Sequence, residues 1–177
     1  MGKHELEGQL MERFQPLLTD DTEVITNSYV SDVTLGSGKT LALITLDNGK
    51  DHTRPNTLGP QTLLQFAATL DELKQRAANK EIHAVAVTGK PYYLAAGADL
   101  SKVQQIKDRQ VGRLIAELGH NALEKLDDLG VPSFVFINGL ALGGGLEVAL
   151  NANYRTVNSA APAIALPEVF LGLIPGW

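Results

Sequence analysis

The chain has 177 residues, 44% of them hydrophobic and 20% charged, which is enough apolar matter for one core and excludes a disordered or low-complexity segment. A formal net charge of -5 offers no broad basic surface to neutralise phosphates, which argues against nucleic-acid binding. The lack of any cysteine excludes disulfide frameworks, thiolate nucleophiles and iron–sulfur ligation, and fits a reducing, cytoplasmic setting.

Residues 3–18 carry Leu6, Leu10, Phe14 and Leu17 at spacings of three and four, the pattern of an amphipathic helix. Charges interrupt this segment throughout, so it reads as neither a secretory signal nor a membrane span. We take residues 1–22 as a helical arm and 23–177 as the main domain. Residues 23–34 are rich in β-branched side chains and 40–46 are a compact apolar run. With Gly36 and Gly38 between them they predict a hairpin. A polar loop over 47–55 precedes a helix over 59–79, with Leu63, Phe66, Leu70 and Leu73 as its apolar stripe.

Further on, 83–88 predicts a buried strand, 91–99 a loop, and the apolar positions from Val103 to Leu126 a helical stretch. Strand (132–138), helix (143–151) and two short strands (154–157 and 164–166) follow. Strands separated by helices imply parallel crossovers and an α/β fold. Residues 171–177 end in a turn-rich apolar run, from which we expect either a longer product or an end covered by a partner.

Gly38-Lys39-Thr40 imitates the end of a phosphate-binding loop. However, Val33 stands where that loop needs its first glycine, and a strand rather than a helix follows. Two other segments carry more. LAAGADL (94–100) follows a strand and precedes a helix, so its small residues lie where ligands enter α/β folds. NGLALGGGLE (138–147) also follows a strand and opens a helix, whose free N–H groups suit a developing anion. Taken alone, each also fits plain architecture, a strand-to-helix turn or close packing of a helix on a sheet. Glu147 comes just after the glycines, and Glu168 is flanked by Ala165, Leu166, Val169 and Phe170, an unusual setting for a merely solvated charge. Two carboxylates beside one oxyanion site would form an acid–base pair, provided their surroundings split their pKa values. Helix-dipole pairing for Glu147 and a surface ion pair for Glu168 are the plainer readings. The four histidines are too scattered to suggest a metal site.

With AAGAD at 95–99, ALGGGLE at 141–147 and LPEVFLGLIPG at 166–176, the sequence from about Leu41 onwards resembles the crotonase superfamily, and within it the enoyl-CoA hydratases. The resemblance implies a spiral of ββα units with a parallel sheet, further C-terminal helices beyond Trp177, and assembly as trimers or hexamers. It implies that the N–H groups of Ala98 and Gly144 hold the thioester oxygen of an acyl-CoA. Glu147 would be the base toward water and Glu168 the acid toward C2. Ala96, Gly97, Asp99, Leu100, Gly143, Asn56 and Thr57 would contact substrate. No metal or redox cofactor is implied, since coenzyme A belongs to the substrate. The polar loop and the arm also suggest the hydratase part of a multifunctional fatty-acid oxidation protein, with a hydroxyacyl-CoA dehydrogenase domain downstream. An isomerase, another acyl-CoA reaction and a non-catalytic acyl-CoA-binding subunit are the rival functions.

Overall fold

A computed structural model describes residues 14–18, 22–98 and 108–177. Most of the predicted arm therefore lies outside the described residues, as do Val103 and Ile106. Of the arm, Phe14 and Leu17 are buried in the main core, with a 3-10 turn over Gln15–Leu17.

Strands β1 (Asn27–Thr34) and β2 (Thr40–Asp47) form the expected antiparallel hairpin, closed by Thr34 opposite Thr40. Gly38 takes φ +77°, open to glycine at little cost, and donates its N–H to the Leu35 carbonyl at 2.8 Å. The Gly-Lys-Thr triplet is thus a hairpin turn running into a strand, and the phosphate-loop imitation ends there. Ala42, Ile44 and Leu46 alternate into the core from β2, the period-2 signature of a strand with one buried face.

Helix α1 (Pro60–Ala78) buries Leu63, Phe66, Leu70, Leu73 and Ala77, each large side chain contributing about 1.5–3 kcal/mol on burial. Its N-cap, Gly59, has no side chain to satisfy the free N–H groups of the first turn. The carboxylate of Glu23 does so instead, accepting from the N–H of Gln61 and of Thr62, each at 3.1 Å. A Cβ at Gly59 would overlap that carboxylate. Glu23→Ala is expected to lower stability by about 0.5–2 kcal/mol, the range for a lost N-cap. Thermal unfolding measures this, and a Tm equal to the parent's would deny the cap.

The main sheet has five strands in the order β1-β2-β3-β5-β7, with β3 (Ala84–Gly89), β5 (Ser133–Ile137) and β7 (Tyr154–Val157) parallel to β2. A second sheet holds β4 (Tyr93–Ala95), β6 (Leu140–Leu142) and β8 (Ile164–Ala165), all parallel. Each of these short strands follows a strand of the main sheet, and helices α2 (Arg109–Leu123) and α3 (Gly144–Leu150) carry the chain to the next turn. The result is the expected spiral of strand–strand–helix units.

Two sequence expectations change. The 91–99 segment is not all loop, because it contains β4, and β6 lies where no strand was predicted. Both are three residues long and contain no β-branched side chain, too short for a period to declare itself. The long helical stretch is, where described, α2 followed by a 3-10 turn over Glu124–Leu126. Among the described residues no helix is long and apolar enough to cross a membrane.

Candidate active site

Strands β4 and β6 run side by side in parallel, Tyr93 opposite Leu140 and Ala95 opposite Ala141. Parallel neighbours end at the same edge, so the bends that follow them are brought together although the sequence separates them. Gly97 takes φ +80°, and a Cβ there would stand 2.9 Å from the Leu142 carbonyl oxygen and 3.1 Å from the Gly144 nitrogen. The AAGAD and GGG segments therefore touch. Gly97 also accepts at its carbonyl from the Leu58 N–H at 2.9 Å, which ties both bends to the segment entering α1.

The three successive glycines answer three different demands. Gly143 takes φ +51° and ψ −127°, and a Cβ there would come 2.8 Å from Oε1 of Glu168. At Gly144 a Cβ would overlap the indole of Trp177, and at Gly145 it would overlap the Ala95 carbonyl. Close helix-on-sheet packing thus explains Gly145, whereas Gly143 and Gly144 face other groups. The Gly143 carbonyl accepts from the N–H of Leu146 and of Glu147, closing the first turn of α3 and turning Glu147 inward. The Gly144 N–H, as a first-turn amide, has no acceptor within the helix.

Glu147 is only 6% exposed, and its Oε1 accepts from the Trp177 N–H at 2.7 Å. Burial pushes its carboxyl above the usual range; the N–H groups of Trp177 and Gly176 oppose this and the charge of Glu168 adds to it. A folded pKa above the unfolded one means that the group's contribution to stability is fully present below the unfolded value and is lost as pH rises through the folded value. Glu147→Gln should therefore match the parent in Tm at or below about pH 4.5, the ordinary glutamate value, and gain on it as pH rises. A Tm difference that stays constant over that interval would contradict this burial cost.

Glu168 sits in a 3-10 turn over Pro167–Leu171. Its apolar neighbours do not shield it, since Val169 is 73% and Phe170 88% exposed. Its Oε1 lies beside the glycine bend, 2.8 Å from the place a Gly143 Cβ would take. Oε2 is buried and has no hydrogen-bond partner among the described residues. Both carboxylates thus flank the glycine bend, Glu147 from within α3 and Glu168 across from Gly143.

The other predicted contacts divide. Ala98 is half-buried and directly follows Gly97 at the junction of the bends. Ala96 donates its N–H to the Asn56 carbonyl at 2.8 Å. Asn56 is fully buried, and its amide is spent inside the protein. It accepts from the Asn48 N–H at 3.1 Å and donates to the Leu46 and Leu94 carbonyls at 2.8 and 3.0 Å. Its side chain is a clamp that joins β2 to β4, and a shielded amide with three protein partners has little left to offer a ligand. Thr57 is half-buried, its carbonyl accepting from the Thr26 hydroxyl at 2.7 Å. Asp99 and Leu100 lie outside the described residues.

Sequence reasoning missed two participants, Leu58 and Trp177, which both lie against Gly144. It also missed Lys90, which is 4% exposed and donates to the Asn48 side chain and to the Lys50 and Asp51 carbonyls, fastening the polar loop. No local pattern signals these roles; the one hint was a single tryptophan after a Pro-Gly turn. Among the described residues no group of three or more His, Asp or Glu side chains could hold a metal ion.

A family described as enoyl-CoA hydratase/isomerase matches residues 36–177. The fatty acid oxidation complex subunit alpha of Shewanella amazonensis is 35% identical over 137 residues, which cover 77% of this chain and 19% of that protein. Among solved structures, Pseudomonas aeruginosa DspI superposes with a TM-score of 0.72 at 31% identity, covering 89% of this chain and 55% of that one. The enoyl-CoA hydratase of Bacillus anthracis gives 0.71 at 27%, covering 85% and 54%. The chain thus spans about a fifth of the length of the first relative and about half of these solved chains. Converging glycine bends flanked by two carboxylates, a spiral shared with these structures, and a match over most of its length place this chain in the enoyl-CoA hydratase/isomerase family.

Proposed function

We propose that the chain adds water across the C2–C3 double bond of a trans-2-enoyl-CoA. The observation that carries this reading is the meeting of the Gly97 and Gly143–Gly144 bends between two carboxylates, one buried and one with a shielded, unpartnered oxygen. In this reading the N–H groups of Ala98 and Gly144 receive the thioester oxygen and stabilise the enolate that develops on it. Water loses a proton to Glu147 and its oxygen bonds to C3, while Glu168 delivers a proton to C2. Burial and a neighbouring carboxylate raise the basicity of Glu147, as a general base at neutral pH requires. The two act as a coupled pair, and their protonation belongs to the pair.

An isomerase shuttles one proton between carbons and generally works with one carboxylate, so the presence of both Glu147 and Glu168 favours hydration. The relatives named as fatty acid oxidation complex subunit alpha support a place in fatty-acid β-oxidation. There the chain would be the hydratase part of a longer protein, with a hydroxyacyl-CoA dehydrogenase part downstream and a trimeric or hexameric assembly. The test follows crotonyl-CoA by absorbance. Loss of the conjugated double bond supports the hydratase; binding without change supports a non-catalytic acyl-CoA-binding role instead.

A further inference from the structure

Two glycines in different helices leave notches that are filled by the same side chain. A Cβ at Gly144 would overlap the six-membered ring of Trp177, and one at Gly119, inside α2, would overlap the five-membered edge of the same indole. Glycine weakens a helix interior, and the seat for this ring accounts for its presence at Gly119. The third wall is Leu58, whose Cδ1 stands 3.4 Å from the place a Gly144 Cβ would take. The Trp177 backbone is held as well. Its N–H donates to Oε1 of Glu147 at 2.7 Å and its carbonyl accepts from the Asn151 amide at 3.5 Å. The ring is thus clamped between the glycine bend and α2, beside the helix that carries Glu147.

We propose that the Trp177 indole is the chain-length wall of the acyl site: a short acyl thioester fits beside it, and the tail of a long one meets the ring. This rests on the acyl-CoA reading above, because it places the thioester at the Gly144 N–H. A ring packed on both sides is displaced only by losing those contacts, so it discriminates by exclusion.

Calorimetric titration with butyryl-CoA and decanoyl-CoA, which have no double bond to hydrate, separates binding from turnover. In Trp177→Ala the affinity for decanoyl-CoA relative to butyryl-CoA should rise about tenfold or more, as the opened space admits several methylenes. Trp177→Phe should move the ratio in the same direction, and it carries the test should the alanine variant fail to fold. Because Trp177 is the chain's single tryptophan, its emission in the parent should respond to butyryl-CoA and not to free CoA. An unchanged affinity ratio, with both ligands bound by parent and variant, overturns the wall and leaves the hydratase reading standing. Failure of the parent to bind either acyl-CoA overturns that reading, and the wall with it.

Discussion

Glu147→Gln is expected to slow hydration of crotonyl-CoA by about 10²–10⁴-fold, the usual contribution of one positioned acid or base. The amide keeps the shape of the side chain and can still accept from the Trp177 N–H, so the fold and the bends should survive. What it cannot do is take a proton from water. Glu168→Gln should fall by a similar factor for the opposite reason, since it has no proton to give to C2. Affinity for the acyl-CoA should change little in either variant, because neither carboxylate is asked to hold the thioester. The two losses should not add in the double variant, as groups that act as a unit seldom do. Turnover at the parent rate in either single variant would remove that residue from the mechanism.

Gly97→Ala should damage both stability and turnover. An alanine at φ +80° is strained by about 1–2 kcal/mol. Its Cβ would press on a backbone carbonyl 2.9 Å away and on the Gly144 nitrogen at 3.1 Å, neither of which can rotate aside. The bends must then separate. If the Gly144 N–H is displaced from the thioester oxygen, the loss is that of an oxyanion donor, about 2.7–4 kcal/mol or 10²–10³ in kcat. Tm and kcat measured on the same preparation distinguish the two effects. A variant with lowered Tm and parental kcat would show that the bend is architecture only. A similar strain at Gly143 would in addition push against Glu168, so Gly97 is the cleaner place to ask the question.

The parts legible in the sequence are those whose cause is local. The stripe Leu63, Phe66, Leu70 and Leu73 repeats with the helical period, and each of these residues is buried on α1. The hairpin announced itself through β-branched runs around Gly38, which does take a positive φ. Glu147 stood out by its place just after the glycines and Glu168 by its apolar neighbours in sequence, although those neighbours are not what covers Glu168. Those neighbours are exposed, while the carboxylate itself lies beside the bend at Gly143.

Illegible were the roles created when distant segments meet. The family resemblance implied that Asn56 contacts substrate; the bonds of its amide to Asn48, Leu46 and Leu94 could not be read from the sequence. Glu23 caps a helix that begins far along the chain, and Lys90 fastens a loop that precedes it by a whole helix and strand. Nothing in the spacing of these residues predicts such pairs, since the partner is chosen by the path of the chain through space.

By itself the sequence determined the class of fold, the order of the helices and of the main-sheet strands, and the glycines and acids that the chemistry would need. Periodicity and backbone permissiveness are properties of each short stretch and can be read there. Only the tertiary structure decided that parallel alignment of β4 with β6 brings two bends to one point, and that Trp177 fills the notches at Gly119 and Gly144. Close approach of backbone to backbone, and of a ring to two helices, depends on how elements stack, which no single stretch encodes.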